Sequence, residues 1–215
     1  MTEKKDSLTI LVHGYFKGGH DMEPLARLLE DLERRVAVVD LPATFGSLDR
    51  CRDGLERFLA SKAANAETVH LVGHSFGGLV IRAYLAANKA ERIGRCVLIG
   101  TPNRGARLAD LGLRFFPFAY RVLKPLDSLV TYAPPIPPPR RYPPPETGII
   151  AGNRNRLISG IFLSRASDGR VEVEETRLDG MADFIVLPFI HTRIHKRPET
   201  AALVDRFLAT GRFGE

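Results

Sequence analysis

Ser75 sits in Gly73-His74-Ser75-Phe76-Gly77-Gly78, a Gly-x-Ser-x-Gly pattern between an apolar run and a helix-like segment. A serine on a sharp strand-to-helix turn projects its hydroxyl beyond the sheet edge, close to the positive end of the following helix. There it can attack an acyl carbonyl, provided that two fixed donors hold the oxyanion and a histidine takes the proton. One donor is the amide of Phe76, the residue after the serine. The other is expected from the glycine-rich turn His13-Gly14-Tyr15-Phe16-Lys17-Gly18-Gly19, whose Tyr15 amide follows the His13-Gly14 pair. His13 reads as a turn-stabilising side chain. The turn lacks the Gly-Lys-Ser/Thr ending of a phosphate-binding loop.

The order of partners along the chain narrows the base and the acid, because in this arrangement both follow the serine. Of the six histidines, His13 and His20 precede Ser75, His70 falls within the preceding strand, and His74 is in the turn itself. His191 and His195 remain, and spacing does not choose between them. For the acid, Asp168 lies in the turn sequence Ala166-Ser167-Asp168-Gly169-Arg170, with Asp179 and Asp183 as rivals nearer the histidines. An Asp-Gly pair also makes an ordinary surface turn.

The elements that must position these groups alternate along the chain, which implies a mostly parallel sheet with helices on both faces. Leu8 to Val12, Val36 to Val39, Thr68 to Val72 and Cys96 to Ile99 read as buried strands. Gly148 to Gly152 and Phe184 to Leu187 supply two more. Helices are expected from Pro24, with Leu25, Leu28, Leu29 and Leu32 on one face; around Leu55, Phe58 and Leu59; from Leu79 to Leu85; and from Pro198 to Leu208. Regularity lapses between about 101 and 145, and the tract from Pro134 to Pro145 holds eight of the 15 prolines, so it can be neither helix nor central strand. Residues 102–145 are expected to form a lid-like insertion, with Phe115, Phe116 and Phe118 suited to an acyl chain; a surface loop or a partner-docking polyproline segment is the other reading.

A chain of 215 residues that is 44% hydrophobic can bury one sizeable core, so residues 1–215 are expected to form a single domain. There is no run of eighteen apolar residues, and Met1-Thr2-Glu3-Lys4-Lys5-Asp6 leads straight into a strand without an export-type apolar stretch, so a cytoplasmic protein without a transmembrane segment is expected. Cys51 and Cys96 are too few for a disulfide framework or a metal site and read as reduced structural thiols. A net charge of +6 serves solubility and leaves room for peripheral contact with a membrane; no long basic block interleaves with aromatics, and Arg140-Arg141-Tyr142 lies within the prolines, so nucleic-acid binding is not expected.

Taken together, Val12-His13-Gly14, Gly73 to Gly78, Gly100-Thr101-Pro102-Asn103-Arg104-Gly105, Ser167-Asp168-Gly169, and Arg177-Leu178-Asp179-Gly180 followed by His191-Thr192 resemble the small bacterial lipase and esterase branch of the α/β hydrolases. The likeness covers most of the chain, including a closing helix similar to Phe207 to Phe213. It implies an α/β-hydrolase fold and selects Asp168 as triad acid and His191 as base. It further implies a small-molecule ester or lipid-like substrate, an acyl-enzyme intermediate, no cofactor and no catalytic metal. Acyl transfer, thioester or amide cleavage on the same triad, and a non-catalytic binding module, are the alternative functions. The sequence departs from the family in its proline tract, which replaces a more helical cover, and in the bulk of Phe189-Ile190 before His191.

Overall fold

The computed structural model describes residues 7–115, 118, 128–130, 136–164 and 166–214. Its centre is a six-stranded sheet in which every pair is parallel, with order β2-β1-β3-β4-β5-β6. The strands are β1 (Ser7–Val12), β2 (Arg35–Val39), β3 (Thr68–His74), β4 (Ile93–Ile99), β5 (Glu146–Gly152) and β6 (Asp183–Leu187). The chain leaves β1 toward β2 on one side and returns to β3 on the other. In open parallel sheets such a reversal opens a crevice at the carboxyl ends of the strands, where ligands bind.

Period-two alternation along each strand divides the core between the two faces. Ile10 and Val12 of β1 join Leu71 and Leu98 beneath α2 (Leu48–Lys62) and α3 (Phe76–Ala87). Leu11, Val72, Val97 and Ile150 face α1 (Glu23–Asp31) and α5 (Pro198–Thr210). Pro24 lies in the first turn of α1, where its missing N–H costs nothing, and Gly211 ends α5 in the left-handed conformation with φ 79. Ser47 caps α2 by accepting from the Arg50 amide.

Two expectations change. The run at Val36 to Val39 was expected to be buried, but β2 is an edge strand and only Val39 is fully buried, because one side of it has no neighbour. The stretch after Thr101 is not irregular throughout: α4 spans Arg107–Phe115, packing Ala109 inward while Arg107, Leu113, Arg114 and Phe115 face outward.

The described part of the proline tract borders α3 and β4. The Arg140 amide donates to Leu85 O and its guanidinium to Ala87 O at 3.1 Å, satisfying carbonyls in the last turn of α3. The Arg141 guanidinium donates to Ile93 O at 2.6 Å, at the start of β4. The tract is therefore fastened at the end of α3 remote from Ser75, and its basic pair is spent on backbone carbonyls. Part of the expected lid, including Phe116 and Pro134, lies outside the described residues. Among the described residues, no helix is long and apolar enough to cross a membrane. Cys51 and Cys96 are buried and unpaired, and burial pushes their thiols up to about 11 and about 12.

Candidate active site

Ser75 occupies the turn between β3 and α3 with φ 55 and ψ −125, a left-handed conformation that costs a non-glycine residue roughly 1–3 kcal/mol. The surroundings enforce it. The Ser75 amide donates to Ile99 O at 2.8 Å, and Thr101 Oγ1 donates to Ser75 O at 3.0 Å, so the end of β4 and the loop after it grip the turn at both its N–H and its carbonyl. A side chain at Gly77 would place its Cβ 2.3 Å from Val12 O, and one at Gly14 would place it 3.1 Å from the Ser75 Cβ. Helix α3 and the loop after β1 can close on the serine only because these two positions are bare.

Ser75 Oγ lies 3.0 Å from His191 Nε2, and His191 Nδ1 lies 2.6 Å from Asp168 Oδ2. With Nδ1–H donating to the carboxylate, Nε2 is left as the acceptor for the serine hydroxyl, the tautomer that general-base action requires. Asp168 is fully buried, and its other oxygen accepts from the amides of Arg170 at 2.9 Å and Val171 at 2.8 Å. The Asp-Gly turn that sequence alone could read as surface is thus a buried carboxylate cage, with Gly169 at φ 91 making the bend.

The sequence rivals are elsewhere. Asp179 is 96% exposed and pairs with Arg104, while Asp183 accepts from the amides of Phe184 and Phe213. His195, one helical turn beyond His191, stacks on His74 with ring centroids 3.8 Å apart and lies 3.1 Å from Asp21 Oδ2. His13 stabilises the first turn, accepting from the Leu41 amide at Nε2 and donating from Nδ1 to Gly14 O.

The two expected oxyanion donors belong to segments that border the serine. Phe76 begins α3, so its N–H is among the four that an α-helix leaves without an intrahelical acceptor. Tyr15 lines the same pocket as Ser75, next to Phe16, whose φ of 57 turns the loop. That pocket, about 360 Å³, has Ser75 and His191 in its floor and a wall of Ala106, Leu108, Ala109, Leu129 and Val171. Phe115 and Phe118 do not form this wall; they are exposed, and the smaller residues at the start of α4 take the place expected of them.

A second group of polar side chains was missed by the sequence reading. Asp21, His74 and His195 are buried with ligand-type atoms within 4.8 Å of one another. The two imidazole rings are stacked 26° from parallel, with their faces opposed. Asp21 is already neutralised by Lys196 Nζ at 2.5 Å. Burial pushes the Asp21 carboxyl up, but its contacts with His195 and Lys196 outweigh it and hold the group well below the usual carboxylate range. Burial lowers the pKa of both His74 and His195, while Asp21 acts against it at His195. The signal available in sequence was the position of His195, four residues after His191.

A parallel sheet of this order with a serine at a strained turn after its third strand defines an α/β hydrolase, and the sequence profile of the alpha/beta hydrolase family matches residues 9–211: the chain belongs to that family. A triacylglycerol lipase of Pseudarthrobacter phenanthrenivorans is 46% identical over 48 residues, a stretch that covers 22% of this chain and 15% of that protein. The fold is similar to that of a mature lipase of Bacillus licheniformis, with TM-score 0.80 and 19% identity over 94% of this chain and 90% of the other. A metagenomic carboxyl esterase superposes with TM-score 0.74 and 17% identity, covering 96% of this chain and 76% of its own.

Proposed function

We propose that this protein is a serine hydrolase that cleaves carboxylic esters, with Ser75 as nucleophile, His191 as general base and Asp168 as its orienting acid. The observation that carries this reading is the continuous run of contacts from Ser75 Oγ through His191 to the buried Asp168, opening into a pocket with an apolar wall. As Ser75 Oγ attacks the acyl carbon, its proton passes to His191 Nε2, and the amides of Tyr15 and Phe76 hold the oxyanion. His191 then gives that proton to the leaving alkoxide, which departs as an alcohol. Water attacks the acyl-enzyme, loses a proton to His191 and releases the acid, and the proton returns to Ser75. Asp168 stabilises the imidazolium throughout without taking the proton. The lipase and esterase names of the similar proteins support an ester substrate, and the wall from Ala106 to Leu129 suits an acyl chain better than a charged one.

Purified protein assayed on p-nitrophenyl esters from acetate to palmitate tests this reading. Turnover that disappears in Ser75→Ala is the expected result, and the chain-length optimum then reports the depth of the acyl wall. A folded protein inert on the whole series, or a Ser75→Ala variant with full turnover, would overturn it.

A further inference from the structure

His74 is the last residue of β3 and the immediate neighbour of Ser75, yet its side chain reaches the loop that carries the base: its Nε2 lies 3.1 Å from the backbone carbonyl of His191. A carbonyl only accepts, so Nε2 carries the proton. A neutral imidazole has one N–H, and Nδ1 is left bare; it is buried and has no hydrogen-bond partner among the described residues. The ring therefore spends its single donor on the His191 backbone. We infer that His74 is a positioning residue for the reaction: it ties the strand that presents the nucleophile to the loop that presents the base, and so maintains the 3.0 Å approach of Ser75 Oγ to His191 Nε2.

Two further observations support the assignment. His191 lies outside regular secondary structure, and both of its backbone groups are held: its N–H donates to Asp168 O at 2.9 Å, and its carbonyl accepts from His74. With the bond from Nδ1 to Asp168 Oδ2, these fix both the position and the rotation of the ring. His74 is itself braced. His195 stacks on it at 3.8 Å, Asp21 lies 3.1 Å from His195, and Lys196 holds Asp21 at 2.5 Å. Asp21 comes from the segment after β1, His74 from β3, and His191 and His195 from the loop after β6, so the brace joins the three loops that supply the proposed oxyanion donor, nucleophile and base. A single hydrogen bond contributes modestly to stability, whereas a displacement of the base by about 1 Å costs on the order of 100-fold in rate. The effect is thus expected in catalysis more than in folding.

The inference rests on the Ser75–His191 reading. Its test compares His74→Gln, whose amide nitrogen reaches the place of Nε2 and can donate, with His74→Met, which fills similar space and cannot. Each is measured for thermal midpoint, kcat and KM on p-nitrophenyl butyrate, and rate of covalent labelling by a fluorophosphonate. His74→Met is expected to lower kcat and the labelling rate by about 10- to 100-fold with KM within about threefold, and His74→Gln to recover most of the loss. Full activity in His74→Met, or equal losses in both variants at unchanged thermal midpoints, would overturn the assignment. Should neither variant fold, ring-nitrogen NMR of the wild-type protein decides: a neutral Nε2–H ring at His74 from about pH 5 to about pH 8 supports it, and an Nδ1–H tautomer or a titration in that range rejects it. His74 is faced by His191, His195 and Lys196, which oppose its protonation, and by Asp21, whose charge is paired with Lys196. A wild-type protein that neither labels nor turns over would sink the parent reading instead, and with it the role of His74.

Discussion

Asp168 and His191 are joined at two points, side chain to side chain at 2.6 Å and backbone amide to backbone carbonyl at 2.9 Å. The carboxylate thus sets the tautomer of the ring while the backbone sets its place. Asp168→Asn keeps an oxygen for the Arg170 and Val171 amides but turns an N–H₂ toward Nδ1, which favours the wrong tautomer. Ester hydrolysis is expected to fall by about 10⁴-fold with little change in the circular-dichroism melt. Asp179→Asn, at an exposed ion pair, should leave hydrolysis intact. Equal losses in the two variants would remove Asp168 from its role.

The turn at Ser75 depends on close packing that a single methyl group disrupts. In Gly77→Ala the new Cβ falls 2.3 Å from Val12 O and 2.6 Å from His13 O. Both are backbone atoms at the end of β1, so α3 must move away from the sheet. A loss of about 3 kcal/mol is expected in urea denaturation, with activity lost in the fraction that still folds. A variant of wild-type stability would show that the turn is looser than the geometry requires.

How far the sequence could be read follows from the same residues. The serine turn was legible because a buried strand, small residues and a helix must follow one another locally for it to form. The choice of Asp168 and His191 came only through family resemblance. Asp168, Asp179 and Asp183 are all plausible by spacing, and only burial separates the caged Asp168 from the exposed Asp179. His191 and His195 lie one helical turn apart, and only the stacking of His195 on His74 shows that one faces the serine and the other braces it. The edge position of β2 and the attachment of Arg140 and Arg141 to α3 and β4 are matters of tertiary pairing that hydrophobic patterning does not encode.

Stability should fall with mild acid, because His70 is buried in β3 and held neutral. Burial lowers its pKa to about 4, with the charges of Arg34 and Arg95 adding, and its Nδ1 accepts from the Arg95 amide. The unfolded chain takes up a proton near pH 6.5 that the native ring refuses until about pH 4. This group alone therefore contributes a loss of about 3 kcal/mol as pH falls through that window, and nothing above it. Urea midpoints at pH 8, 6 and 4.5 should decline, and His70→Asn, which preserves an acceptor for Arg95, should flatten the slope by about one proton's worth. An unchanged slope in the variant would contradict this.

Arg34 is almost fully buried and binds Asp205 twice, through Nε to Oδ1 at 2.5 Å and through Nη2 to the backbone carbonyl at 2.8 Å, linking the turn after α1 to α5. Arg34→Ala is expected to cost about 3 kcal/mol. Arg27→Ala removes an exposed pair with Glu23 at 3.4 Å and should cost less than about 0.5 kcal/mol. Similar melting temperatures for the two variants would show that the α1–α5 link is not anchored by Arg34.

The most direct test of Ser75 as the nucleophile is intact-protein and peptide mass spectrometry after exposure to a fluorophosphonate. One adduct is expected, on Ser75, formed in the wild-type protein, absent from Ser75→Ala and strongly slowed in His191→Ala. Absence of any adduct on a folded protein with an open pocket, or modification of another residue at the same rate in Ser75→Ala, would contradict it.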